Sequence, residues 1–195
     1  MIKMKWIALA VVATLLAGGC TPAEKYERQL KRGLASGTRY DSLFMGLSFG
    51  MNEDEFFDVC WDLNREGLVR QAMDNRSVEY RMKDELKFPA TMNFYPVFAD
   101  DKIWQMKVSF IYDGWAPWNQ EQSASKLALD VKRWYEKTYG NGFITVTHPF
   151  RGEAYTKIDG NRRITIYIEN DQLVWAIFTD MSSDAAKELE AGRQN

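Results

Sequence analysis

The stretch GMNEDEFFDVCWDLNREGL, residues 50–68, specifies both ends of a helix. Asn52 can accept a hydrogen bond from the backbone of Glu55, whose side chain can reach back to close a capping box. Gly67 suits the left-handed residue that ends many helices. Between these signals, apolar residues recur at helical spacing at Phe56, Val59, Cys60 and Leu63. The pattern predicts a helix over residues 53–66 with one buried side.

Two features of this helix suggest chemistry but are better explained by structure. The acidic residues 53–55 suit the positive N-terminal end of a helix and are therefore interpreted as capping residues, not as metal ligands. Cys60 lies in the apolar stripe and is flanked by Asp58 and Asp62. A reactive thiolate needs an electropositive setting, so we interpret Cys60 as a small buried hydrophobic residue.

After this helix, the sequence changes to the period of two that is typical of strands. Strands are predicted at residues 78–82 and 92–98. A turn at 99–102 leads into a third strand at 104–110, whose apolar residues alternate with Gln105, Lys107 and Ser109. This third strand therefore has one buried face and one polar face.

The second half of the chain repeats this order. A helix is predicted at 121–139, followed by a strand at 143–147 and a hairpin that joins 155–158 to 164–168. A last strand, 173–179, is apolar on both faces, which indicates either a central position or cover on both faces. We predict an α+β fold of two tandem α-β-β-β units, with an antiparallel sheet, helices packed on one face and a short N-terminal helix before them.

The sequence predicts five segments along the chain. Residues 1–19 are a signal peptide, and residues 20–40 form a tether with a short helix capped by Thr21. The two repeated units occupy 41–114 and 115–181. Residues 182–195 form a polar tail that can fold as a short helix.

The first nineteen residues have the order of a secretory signal. Lys3 and Lys5 precede an apolar run at 6–16, and small residues follow at 17–19. The apolar run is shorter than the roughly 20 residues that span a bilayer. The segment therefore predicts export, with Cys20 directly after it.

Residues 16–20, LAGGC, resemble the lipobox of bacterial lipoproteins. In that family the signal is cut before the cysteine, which then carries palmitate and related acyl chains, and two or three chains anchor a protein stably. The resemblance implies that Cys20 is lipidated and that the membrane is a partner of the protein. Thr21 follows instead of the aspartate that commonly retains lipoproteins in the inner membrane, which implies an outer-membrane location facing the periplasm or the cell surface. A signal that leaves Cys20 unmodified is the alternative.

Residues 49–56, FGMNEDEF, resemble the Gly-Met helix entry of small envelope lipoproteins of the BamE type. The tandem order of helix and sheet is also similar to the β-lactamase inhibitory protein fold. Both families leave one sheet face free to bind another protein. The resemblance therefore implies a binding module without enzymatic activity, either an assembly factor or an inhibitor.

Composition and motifs exclude several other classes. Without Lys3 and Lys5 the chain has 23 basic against 27 acidic residues, which gives no electrostatic basis for binding nucleic acid. The single histidine, His148, lies near no nucleophile motif, and no P-loop or His-Glu-x-x-His motif occurs. We therefore expect no catalytic residues, no metal site and no cofactor.

The loop YDGWAPWN, residues 112–119, is the strongest candidate binding segment. Loops lie on the surface and tryptophan is enriched at binding hot spots, so Tyr112, Trp115 and Trp118 are candidate binding residues. In the alternative, the two tryptophans fold back and seal the units together. The first possibility leads to a second functional hypothesis, a lipoprotein that binds a glycan or small ligand through this loop. The main hypothesis is a membrane-anchored module that binds another envelope protein.

Overall fold

The computed structural model describes residues 21–148 and 152–193, so Cys20 and the predicted signal peptide lie outside the described residues. The helices are α1 Pro22–Ala35, α2 Glu53–Arg65, α3 Ala124–Tyr139 and α4 Asp184–Arg193. The strands are β1 Val69–Gln71, β2 Val78–Met82, β3 Ala90–Ala99, β4 Lys102–Tyr112, β5 Ile144–His148, β6 Gly152–Asp159, β7 Arg162–Ile168 and β8 Val174–Asp180.

All eight strands join one antiparallel sheet in the order β1-β2-β3-β4-β8-β7-β6-β5. Each half of the chain supplies four neighbouring strands, and the last strand of each half lies at the centre. There β4 and β8 pair from Gln105–Thr179 to Phe110–Val174. The predicted α+β class with an antiparallel sheet is confirmed, as is the central position of the last strand.

The strand count of each unit differs from the predicted α-β-β-β order, because each helix is followed by four strands. In the first unit the additional strand is β1, whose three residues are too few to display a period of two. In the second unit β6 and β7, predicted as the arms of one hairpin, are two full strands of the sheet.

Local hydrogen bonds fix the helix ends as predicted. In α2, the Glu55 amide donates to Asn52 Oδ1 at 2.9 Å, and the Asn52 amide donates to Glu55 Oε2 at 2.8 Å. Gly67 has φ +73°, and the Leu68 amide donates to the Leu63 carbonyl. The acidic residues 53–55 are therefore part of a helix cap. Thr21 and Glu24 form a second capping box at the start of α1.

The core lies on the sheet face that carries Met106, Val108 and Phe110, here called the inner face. Tyr135 of α3 packs edge-on against Phe110 and Phe178, with ring centroids 6.2 and 5.4 Å apart. Helix α2 buries Phe56 and Cys60 in the same cluster. These contacts agree with the prediction that the helix of each unit packs on the core side of the sheet.

Helices α1 and α4, which lie outside the two repeated units, cover the opposite, outer face of the sheet. Ala23 and Tyr26 of α1 line a groove on this face together with Glu190 of α4. Near its C-terminus α1 approaches the β6–β7 turn through Gly33. The physical reason is that β5 and β6 also have apolar side chains on the outer face, which must be covered. These are Ile144, Val146, Ala154 and Ile158.

Candidate functional site

A groove of about 860 Å³ lies on the outer face, beside α1 and α4. We call it the outer groove. Its floor comes from β4 to β8, and its wall from the two terminal helices. Its main aromatic, aliphatic and basic lining residues are Tyr26, Lys107, Arg163, Tyr167, Trp175 and Ile177.

Strand register places the groove's central residues side by side. Lys107 of β4 pairs with Ile177 of β8, and Trp175 pairs with Tyr167 of β7. Since side chains alternate along a strand, all four project from the outer face. Lys107 is exposed, and its ammonium group has no hydrogen-bond or ion-pair partner among the described residues. Within the described part of the chain, the groove therefore offers an unpaired cation next to two aromatic rings and an aliphatic side chain.

An ion pair between buried Arg163 and half-buried Glu190 closes the helix side of the groove. The Arg163 guanidinium donates from Nη1 to Glu190 Oε1 and to the Tyr26 hydroxyl, both at 2.7 Å. Burial lowers the pKa of Arg163, but the neighbouring Tyr26 and Glu190 oxygens raise it more, so the net shift is upward. This network joins α1, α4 and β7 and gives the groove a fixed wall.

Tyr112 is not a surface residue, which corrects its prediction as a binding residue. Its side chain is 1% exposed, and its hydroxyl donates to the buried carboxylate of Asp130 in α3. Burial raises the pKa of this phenol to about 12. Tyr112 is the last residue of β4, and the period of two keeps it on the inner face.

The structure separates the two tryptophans of the loop. Trp115 is half-buried against the core, and its Nε1 donates to the Asp171 carbonyl at 3.0 Å. It therefore seals the loop to the β7–β8 turn. Trp118 is 84% exposed and is therefore the tryptophan of this loop that a binding partner can reach.

The sequence signal for the outer groove is the alternation of apolar and polar residues along β4. By itself it indicates only that one face of this strand is polar. The alternation along β4 places Lys107 on the polar face, but residues of β7, β8, α1 and α4 complete the groove. Trp175 lies in a strand that is apolar on both faces, so the sequence pattern does not distinguish it from a core residue. Its position beside Tyr167 depends on the order of strands in the sheet, which the sequence pattern does not encode.

Cys60 is confirmed as a buried free thiol, and burial raises its pKa to about 11. At about pH 8 such a shift leaves on the order of 100-fold less thiolate than an exposed cysteine has. We expect Ellman's reagent to react slowly with the folded protein and quickly after unfolding in guanidinium chloride. One thiol should be released on unfolding, since a lipidated Cys20 has none. Fast reaction of the folded protein would contradict the burial, and a second thiol would contradict lipidation.

The described residues contain no cluster of three or more His, Cys, Asp or Glu side chains that could hold a metal ion. The side chain of His148 lies outside the described part of the chain.

Among residues 21–148 and 152–193, no helix has the length and apolar character needed to cross a membrane. A scan of protein families, a search of curated proteins and a search of solved structures each found no match to this chain.

Proposed function

We propose that this protein is a membrane-anchored envelope lipoprotein that binds another envelope protein without catalysing a reaction. The observation that carries the proposal is the outer groove. It combines Lys107, which has no charge partner in the described chain, with Trp175 and Tyr167 on a rigid sheet. Aromatic residues on a fixed scaffold are typical of binding hot spots, because ordering them on binding costs little entropy.

The chemistry of the groove indicates what the partner presents. An apolar side chain fits against Trp175 and Ile177, and a carboxylate beside it pairs with Lys107. The expected partner segment is therefore an apolar loop or strand with an acidic residue. The lipobox-like segment ending at Cys20 supports the envelope location.

The test is site-specific photocrosslinking in cells, with p-benzoylphenylalanine at position 107. This substitution removes the charge of Lys107 and keeps the apolar contacts with Trp175 and Ile177, on which capture of the partner then depends. Lys102 is the matched control, because it is also an exposed lysine of β4 but is not a lining residue of the groove. We expect one defined envelope protein to form an adduct with position 107, with about one partner molecule per molecule of this protein. We expect no adduct with position 102. The additional substitution Trp175→Ala should abolish the adduct, because it removes the aromatic wall.

An adduct of equal yield from both positions, or none from position 107, would contradict a partner in the groove. The second candidate function, binding of a glycan or small ligand, is favoured by the exposure of Trp118. A screen of glycans and peptidoglycan fragments with the wild type and Trp118→Ala distinguishes it. Glycan binding that depends on Trp118, without a protein adduct at position 107, would favour that second function.

A further inference from the structure

The sheet has two chemically different ends. The loop at 113–119 and the β7–β8 turn at 169–173 lie at one end, because β4 ends where β8 begins. We call this the tryptophan end. The opposite, hairpin end carries the turns at 72–77, 100–101 and 160–161.

Helix α1 points its N-terminus towards the tryptophan end. Near its C-terminus Gly33 packs against Gly160 at the hairpin end, whereas Ala23 lines the outer groove with Val146 and Thr147. Thr21 is the N-cap of this packed helix and accepts a hydrogen bond from the Glu24 amide at 3.2 Å. Cys20 directly precedes Thr21 in the sequence. A lipid on Cys20 would therefore be attached one residue before the N-cap of α1.

We propose that the tryptophan end faces the bilayer and that Trp118 lies among the lipid headgroups. The inference rests on the lipid anchor of the proposed function. The loop that presents Trp118 is held by its own hydrogen bonds. Asn119 Nδ2 donates to the Gly114 carbonyl at 2.9 Å, and the Asn119 amide donates to the Ala116 carbonyl at 2.9 Å. Tryptophan is enriched at membrane interfaces because its ring is apolar and its N–H is polar.

The spacing and the charges of this end suit a flat, uncharged lipid surface. The strand order places the loop after β4 and the start of α1 beside β5 about 20 Å apart along the same edge, at about 4.8 Å per strand. Acidic residues near the loop are paired: Asp113 contacts Arg81 at 3.3 Å, and Glu121 contacts Lys87 at 2.8 Å. We therefore expect this end of the sheet to contact zwitterionic headgroups, which do not repel acidic side chains.

The experiment compares two exposed apolar residues at opposite ends of the sheet. Met73 is 95% exposed in the β1–β2 turn at the hairpin end and is the matched control for Trp118. Full-length protein with Cys60→Ala and either Trp118→Cys or Met73→Cys is purified with its lipid. Each variant is labelled with an environment-sensitive fluorophore and reconstituted into phosphatidylcholine vesicles that contain doxyl-labelled lipid. Far-UV circular dichroism checks folding, and mass spectrometry checks acylation of Cys20.

We expect several-fold stronger quenching at position 118 than at position 73, unchanged at high salt because the contact is not ionic. If acylated protein shows no quenching at position 118, or no more than at position 73, the inference is overturned and the anchor is left intact. An unacylated Cys20 overturns both. If peptidoglycan fragments abolish the doxyl quenching of the fluorophore at position 118 and shield it from solvent, the contact is with a glycan. That result would also overturn the inference.

Discussion

Gly160→Ala is expected to lower the free energy of unfolding by about 3–5 kcal/mol. Gly160 has φ +52°, and a Cβ atom there would lie 2.1 Å from the Thr38 carbonyl oxygen and 2.9 Å from Cδ2 of Tyr40. A non-glycine residue in this left-handed region costs roughly 1–2 kcal/mol by itself. The contact with a backbone carbonyl then forces residues 38–40 to move away.

That movement would break a network that joins the segment after α1 to the sheet. The Tyr40 amide donates to Asn161 Oδ1 at 2.6 Å, and Asn161 Nδ2 donates to Asp41 Oδ1 at 2.9 Å and to Asp180 Oδ1 at 3.1 Å. Since Asn161 is buried, each lost bond leaves a polar group without water. Urea unfolding followed by far-UV circular dichroism measures the loss.

Gly37→Ala is the control for Gly160→Ala. Gly37 has φ +65°, but a Cβ atom there would meet nothing within 4 Å. We expect a loss of only about 1 kcal/mol, from backbone conformation alone. Equal losses in the two variants would show that the approach of residues 38–40 to the β6–β7 turn does not contribute to stability.

The parts of the fold that follow from local interactions could be predicted from the sequence. The capping boxes of α1 and α2 use side chains within three residues of the backbone groups that they satisfy. The turn at Asp100 and Asp101 has positive φ at both residues, as a two-residue hairpin requires. The period of two in β4 likewise depends only on which neighbours are apolar.

The arrangement of the terminal helices could not be predicted in the same way. The sequence predicts a short helix capped by Thr21, but not which face of the sheet this helix covers. That choice follows from Gly33, whose lack of a side chain allows contact with Gly160, and from the bonds of Arg163 to Tyr26 and Glu190. Gly160, Arg163 and Glu190 are each more than a hundred residues from α1 in sequence.

The candidate site shows the same division. Trp115 and Trp118 lie three residues apart in one loop, and the sequence treats them alike. They differ because the Asp171 carbonyl, supplied by a distant turn, accepts a hydrogen bond from Trp115. The pattern of β4 shows that Lys107 lies on the polar face, but its aromatic neighbours are set by the pairing of β7 with β8.

Phe178→Ala is expected to lower the free energy of unfolding by about 3–5 kcal/mol, because it opens a cavity at the centre of the core. Phe178 lies in the central strand β8 and is 0% exposed. Its ring lies 5.4 Å from Tyr135, 5.5 Å from Tyr139 and 5.8 Å from Phe44, measured between centroids. These rings join the sheet to α3 and to the segment before α2, so neighbouring side chains cannot collapse into the space without moving a helix.

Trp118→Ala is the matched control, since it removes an even larger aromatic side chain. Because Trp118 is almost fully exposed, we expect its loss to change the free energy of unfolding by less than about 0.5 kcal/mol. Urea unfolding followed by far-UV circular dichroism measures both variants. A large loss for Trp118→Ala would mean that this indole supports the fold, and its role at a lipid surface would then have no basis. A small loss for Phe178→Ala would contradict a single core shared by the two halves of the sheet, on which the fixed positions of Trp118 and Lys107 both depend.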